Sequence, residues 1–303
     1  MLTPTEIKIF LSLTQESSVS EIAHDLDLST PTVSKYVNLS IRKHNGLFTK
    51  RKQKRKVMVK RADTTHANLL MSIHNEYPRW DLTRLFTYSK LKIAASINQP
   101  KQITEISSLT DLSRQHVKSS LKTLSKLAIV IKKDNRYQLN PKNKLVNQFI
   151  TNYYDYVNEN RLKEITKDGI ILWNNADEFL FKTTQELENT KKTALSVFPD
   201  HSLPLIGNEH FYYLTERDLD VKDHILHTIL IDPTSRTYNL YAALLYQKEE
   251  PTNIMKRARI YDVEDHIKGI KDYIETRTKT RDYLPPWEEY ESMAEDYGVK
   301  YHR

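Results

Sequence analysis

Val19-Ser20-Glu21-Ile22 returns as Ile103-Thr104-Glu105-Ile106, an offset of 84 residues. Without a gap, the same offset lays Ile7-Lys8-Ile9 on Leu91-Lys92-Ile93, Leu28-Ser29 on Leu112-Ser113, Val33 on Val117 and Val37 on Leu121. Apolar and small polar positions match together, so the pattern marks one supersecondary unit used twice. Each copy reads as helix, helix, turn, helix. In the first, Ile7, Phe10, Leu11 and Leu13 form an apolar face after Thr3-Pro4. A second helix carries Val19, Ile22, Ala23 and Leu26, and a third has Pro31 in its first turn with Val33, Tyr36 and Val37 facing inward. The second copy repeats this with Leu91, Ile93, Ala94 and Ile97, then Ile103, Ile106 and Leu109, then Val117, Leu121 and Leu124.

A hairpin is expected after each third helix. Leu47-Phe48 and Val57-Met58-Val59 flank Lys50-Arg51-Lys52-Gln53-Lys54-Arg55-Lys56, so two short strands around a basic tip fit the first copy. In the second, Ile129-Val130-Ile131 and Tyr137-Gln138-Leu139 flank a polar turn with Asp134-Asn135 at its tip. Between Arg42 and Arg61 lie ten Lys or Arg and no acid. The asymmetry extends along the chain: residues 1–165 hold 28 basic and 14 acidic side chains, the remainder 18 and 25. A basic half of this kind suits a polyanion, and the acidic half has another task.

The segments Val19-Ser20-Glu21-Ile22-Ala23 with Leu28-Ser29-Thr30-Pro31-Thr32-Val33, and Ile103-Thr104-Glu105-Ile106 with Leu112-Ser113-Arg114-Gln115-His116-Val117, resemble MarR/ArsR-like winged helix-turn-helix transcription regulators. The resemblance covers about the first half. The full layout ends in Leu284-Pro285-Pro286-Trp287 and Tyr297-Gly298-Val299, and is similar to a group of archaeal winged-helix regulators. It implies that each third helix enters the major groove of double-stranded DNA and each wing follows the backbone. Ser29, Thr30, Thr32 and Lys35 would then face bases in the first module, with Lys50, Arg51, Lys52, Lys54 and Arg55 on phosphates. In the second, Ser113, Arg114, Gln115, His116 and Lys118 would read, with Lys132, Lys133 and Arg136 on the wing. Arg114 suits a guanine edge and Gln115 an adenine edge, so the second helix is the better reader, whereas the first module supplies salt-dependent affinity.

Composition narrows the remaining choices. With no cysteine there is no disulfide framework, thiolate zinc site or cysteine nucleophile. The five glycines are isolated, which rules out a Walker A loop or dinucleotide fingerprint. The longest apolar runs, such as Leu127 to Ile131, fall far short of a membrane span. The expectation is a cytoplasmic, nucleoid-associated protein that is not an enzyme, takes no cofactor and binds no metal. His224 and His227, three apart near Asp220 and Asp223, lack a third ligand in view. Asp218 and Asp220 lack the Gly-Ser strand-loop of nucleotidyltransferases, so Thr215 to Asp220 reads as a capping turn.

The fold class expected is mainly α with an α+β C-terminal part. Residues 1–63 and 83–140 form tandem winged helices, joined by a helix at 64–82 with Leu69, Leu70, Ile73 and Tyr77 on one side. A long helix at 141–166 carries Leu145, Phe149, Ile150, Tyr153, Tyr156 and Val157 at helical spacing, and residues 167–303 form an acidic α+β domain. In that domain Ile170–Trp173, Phe179–Phe181, Ala194–Phe198 and Phe211–Leu214 read as strands, followed by helices over 221–231, 237–247 and 263–276. A homodimer through 141–166 or the C-terminal domain is left open. The reading is a sequence-specific transcriptional regulator. The alternative is a DNA- and partner-binding, antitoxin-like component of a toxin–antitoxin or antiviral defence system.

Overall fold

Hydroxyl side chains set the first helix starts. Thr3 caps α1 (Pro4–Ser12), Ser18 caps α2 (Val19–Asp25) at the end of the short strand β1 (Ser17–Ser18), and Ser29 caps α3 (Thr30–Arg42). Each oxygen accepts from the backbone N–H three residues on, which satisfies a donor the helix leaves unpaired. The computed structural model describes residues 2–205 and 207–299. The chain divides into two units, residues 1–161 and 162–303, and is mixed α/β. No helix among the described residues is long and apolar enough to cross a membrane.

In the first unit, α1 to α3 bury Ile7, Ile9, Phe10, Ile22, Ala23, Val33 and Val37 against one another, while Leu11 and Tyr36 are only half-buried. Strands β2 (Phe48–Gln53) and β3 (Lys56–Arg61) form an antiparallel hairpin, and β1 joins the edge of β3, giving the order β1-β3-β2. The basic residues expected at the hairpin tip run along β2 itself, paired from Phe48↔Arg61 to Gln53↔Lys56. The ladder continues through the charged positions because Phe48 and Val59 anchor its base in the core and the rest of β2 is exposed. Helices α4 (Thr65–Glu76) and α5 (Leu82–Leu85) follow, burying Leu70, Ile73, Leu82 and Leu85.

The construction then repeats with α6 (Tyr88–Ala95), α7 (Ile103–Thr110), α8 (Arg114–Lys126), β4 (Val130–Lys133) and β5 (Arg136–Leu139). The 84-residue offset holds in backbone detail. Asp27 and Asp111 both turn through the left-handed region, at φ 51° and 53°, and so do His44 and Ala128, at 50° and 53°. Glu21 and Glu105 both close capping boxes, and α3 and α8 are each 13 residues long. Lys101 bridges Tyr137 where, one repeat earlier, Ser17 pairs with Val59. Asp134 and Asn135 take φ of 47° and 64°, the pair of positive values a tight two-residue hairpin turn needs.

The long helix α9 (Lys144–Ile165) buries Val146, Phe149, Ile150 and Tyr153. Phe149 packs on Phe86 with ring centres 4.9 Å apart, and Tyr153 and Tyr156 pack on His66 of α4 at 5.7 and 4.8 Å. Its apolar stripe is therefore used inside the chain, which removes the sequence-based reason for seating a second copy there. A buried polar relay runs beside it. The Glu6 carboxylate accepts from Thr3 N–H at 2.7 Å and from the Asn45 amide at 2.9 Å, and Asn45 accepts from the Tyr153 hydroxyl at 3.3 Å. Burial pushes Glu6 up and His66 down, each toward its neutral form. Gly46, at φ 62°, closes this corner, since a Cβ there would lie 2.5 Å from Tyr156 and 2.7 Å from His66.

The second unit is an antiparallel sheet in the order β6-β7-β9-β8, made of Ile170–Asn175, Glu178–Thr183, His210–Leu214 and Lys191–Lys192 respectively. Alternation sends Leu180 and Tyr213 to one face, into the main core, and Phe179, Phe181 and Tyr212 to the other, with Leu162. Helices α10 (Val221–Ile231), α11 (Arg236–Glu249), α12 (Ile254–Ile260), α13 (Glu264–Thr276) and α14 (Trp287–Asp296) supply that main core. One expected strand is corrected: Ala194–His201 is a 3-10 helix. Thr193 still pairs with Phe211, but Ala194 turns through φ 48° and Pro199 has no N–H to give a ladder.

Candidate nucleic-acid interface

Two equivalent helix starts and two hairpins bring the sequence-selected residues to the surface. On α3, Ser29 is spent on its own helix: its hydroxyl accepts from Thr32 N–H at 3.3 Å and lies 2.7 Å from the Thr32 hydroxyl. Ser113 does the same for α8, accepting from His116 N–H at 3.3 Å. These serines orient the helices. Thr30 and Lys35 are left outward on α3, with the Lys35 ammonium 5.7 Å from the centre of the Tyr36 ring.

On α8, Arg114, Gln115, His116 and Lys118 are all exposed, while Val117, Leu121 and Leu124 fill the opposite face. The helix contains no acid. Lys122 and Lys126 continue the four-residue spacing of Arg114 and Lys118 and are also exposed, so a basic stripe runs the length of α8. The sequence reading missed those two lysines, although their spacing alone identifies them.

The hairpin cations fall into two sets. Lys50 reaches back to the Asn38 side chain of α3, and Arg51 grips Glu16 with two N–H groups at 2.7 and 2.5 Å. Arg136 likewise donates to the Pro100 carbonyl at 3.0 Å and lies 3.8 Å from Glu105. These three brace their hairpins. Lys52, Lys54, Arg55 and Lys133 are exposed with no ion pair among the described residues, and Lys132 lies 5.6 Å from the centre of the Tyr137 ring. The free positive charge is thus concentrated at the outer end of the first hairpin, beside Val57, which is 42% exposed.

The second unit holds a different kind of cluster. Asp223, fully buried, accepts two N–H groups of Arg217 at 2.7 and 3.0 Å and has Arg257 at 3.4 Å. The Tyr261 hydroxyl lies 3.3 Å from Asp223, touches Arg217 and meets His227 Nε2 at 3.0 Å. His227 Nδ1 and His224 Nδ1 both converge on the Thr193 hydroxyl, at 2.8 and 3.0 Å, and the His227 ring stacks on Tyr213 at 4.2 Å. Asp220 meanwhile caps α10. The two histidines singled out for metal spacing therefore share the Thr193 hydroxyl, and the two aspartates share the capping box of α10, with Asp223 also holding Arg217. Among the described residues, no group of three or more His, Asp or Glu is placed to hold a metal ion.

Burial, with the Arg217 charge adding to it, holds the His227 imidazole well below its ordinary range, so it is neutral in the folded chain. An imidazole depressed in this way stabilises the fold above its unfolded value of about 6.5, and that stability is lost as pH falls. Each such group weakens residues 162–303 by up to about 1.4 kcal/mol per pH unit below 6.5. Trp173 and Trp287 lie in that unit and report its urea transition. His227→Gln is expected to make the decline between pH 6.5 and 5.5 shallower by about 1 kcal/mol, roughly three-quarters of a proton, and an unchanged slope would refute the assignment.

A family model described as HVO_2833_C, C-terminal, matches residues 187–299. The match takes in β8, the 3-10 helix, β9, the helices after it and the whole Asp223 cluster, but not β6 or β7. No curated protein matches the chain.

Proposed function

We propose that the chain is a double-stranded DNA-binding transcriptional regulator, in which residues 1–63 and 83–140 act as tandem winged helix-turn-helix modules of the MarR/ArsR-like kind. One observation carries the reading: two serine-capped, acid-free helices, 84 residues apart, each present an exposed first turn and are each followed by a hairpin bearing cations. The capped N-terminus suits a major groove lined with phosphates, and the outer hairpin charge suits a backbone. The α8 stripe, with Arg114 and Gln115 at its start, is the base-reading element, since arginine pairs with guanine and glutamine with adenine through two hydrogen bonds. The first hairpin contributes affinity. The acidic second unit is the regulatory or assembly part.

The test is selection of fragmented genomic DNA by the full-length protein, sequenced at two salt concentrations. Enrichment of a few sites with a shared motif at the higher salt supports a specific regulator. Arg114→Ala is then expected to erase preference at one base position, at a cost of about 1 to 3 kcal/mol there. Diffuse recovery that vanishes with salt refutes sequence specificity, and no recovery at either salt shifts the reading to an antitoxin-like, partner-binding protein.

A further inference from the structure

A cavity of about 360 Å³ opens in the second unit between the 3-10 helix, β9 and the start of α11. Its lining mixes apolar and polar side chains, the apolar part coming from Leu195 and Phe211 together with Tyr238 and Tyr241, one turn apart on α11. The size is at the small end for ligand sites, enough for a single substituted ring.

The polar groups around it fall into two sets. The charged ones are already paired, Lys192 with Glu186 at 2.7 Å and Glu209 with Lys182 at 2.6 Å. The Ser196 hydroxyl is likewise occupied, accepting from Phe211 N–H at 2.6 Å. Left over are the hydroxyls of Tyr238 and Tyr241, the His210 ring and the Asn208 amide, none of which makes a hydrogen bond within the described residues. Burial pushes both tyrosines up, so their hydroxyls stay protonated and able to donate.

We infer that this cavity binds a small uncharged aromatic molecule carrying hydroxyl or carbonyl groups. A charged ligand would have to compete with the Lys192–Glu186 and Lys182–Glu209 pairs for its counter-charge, whereas an uncharged polar ring meets the unused hydroxyls, imidazole and amide beside apolar side chains. Tyr238, Tyr241 and Phe211 place aromatic side chains in the lining, the residue type that pairs with another ring. The inference concerns residues 192–241 alone and does not depend on DNA binding.

The experiment titrates the full-length, 15N-labelled protein at pH 8, without DNA, with resorcinol and benzamide, and with benzoate and benzylamine as charged compounds of the same size. Saturable shifts from the uncharged pair are expected, with Kd on the order of millimolar for molecules this small, and binding of the charged pair at least tenfold weaker. The double variant Tyr238→Phe/Tyr241→Phe keeps both rings and removes both hydroxyls, so it is expected to keep its thermal transition and lose about tenfold in affinity for resorcinol. Absence of saturable binding by either uncharged probe overturns the site. Equal binding of the charged compounds, or unchanged affinity in the double variant, overturns the assigned chemistry.

Discussion

Asp223→Ala is expected to lower the stability of residues 162–303 by about 3 to 5 kcal/mol, the cost of stranding the partners of a buried ion pair. The carboxylate is fully buried and holds Arg217 by two hydrogen bonds, with Arg257 3.4 Å away. Removing it leaves the guanidinium groups of Arg217 and Arg257 beside the buried Tyr213, Tyr261 and His227 without the carboxylate that pairs with them. Asp223 also accepts a hydrogen bond from the N–H of Asp220 at the start of α10, so the helix loses half of its capping box. In a unit of this size the midpoint falls by roughly 10 to 15 °C. Differential scanning calorimetry of the full chain should show that drop in one transition while the other, from residues 1–161, stays in place. A shift of under about 2 °C would mean that the cluster is not what ties β9, α10 and α12 together.

The second large effect is on nucleic acid. Replacing Lys52, Lys54 and Arg55 together by alanine is expected to make the salt dependence of DNA binding shallower by about 3 in the log–log slope, near 0.9 for each phosphate no longer neutralised. Between 50 and 200 mM salt that corresponds to roughly 40-fold less loss of affinity than the parent protein suffers. Folding should be untouched, because all three side chains are exposed and unpaired among the described residues. Arg51→Ala supplies the contrast: its guanidinium is held by Glu16, so its removal should change the slope less than any of the three. Titrations by fluorescence anisotropy at four salt concentrations separate these cases. An unaltered slope in the triple variant would show that the first hairpin does not lie on the phosphate backbone.

The features legible in the order of residues are those that close neighbours decide among themselves. Ser18, Ser29 and Ser113 accept hydrogen bonds from backbone three residues on, and that reach lies inside any short window of sequence. The duplication was legible because apolar spacing survives in both copies, and the shared left-handed turns at Asp27 and Asp111 extend it to the backbone. The helices over 221–231, 237–247 and 263–276 were legible for the same reason, each appearing within two residues of its expected ends.

What only the tertiary structure decided is which side chains are spent. Arg51 and Lys52 are adjacent and chemically alike, yet one is bound to Glu16, 35 residues away, and the other is exposed. Arg136 is fastened to Pro100, 36 residues back, by a hydrogen bond no local pattern announces. The stripe on α9 has the spacing of a surface that needs covering, and it took the packing of Phe86 and His66 against it to place that cover within this chain. Thr193, Arg217, Asp223, His227 and Tyr261 meet only because the sheet and helices fold over one another. The sequence determined where helices start, where the chain turns and that one module is used twice, since those follow from hydrogen bonds and apolar spacing within a few residues; the fate of each charge depends on long-range neighbours, which only the folded chain supplies.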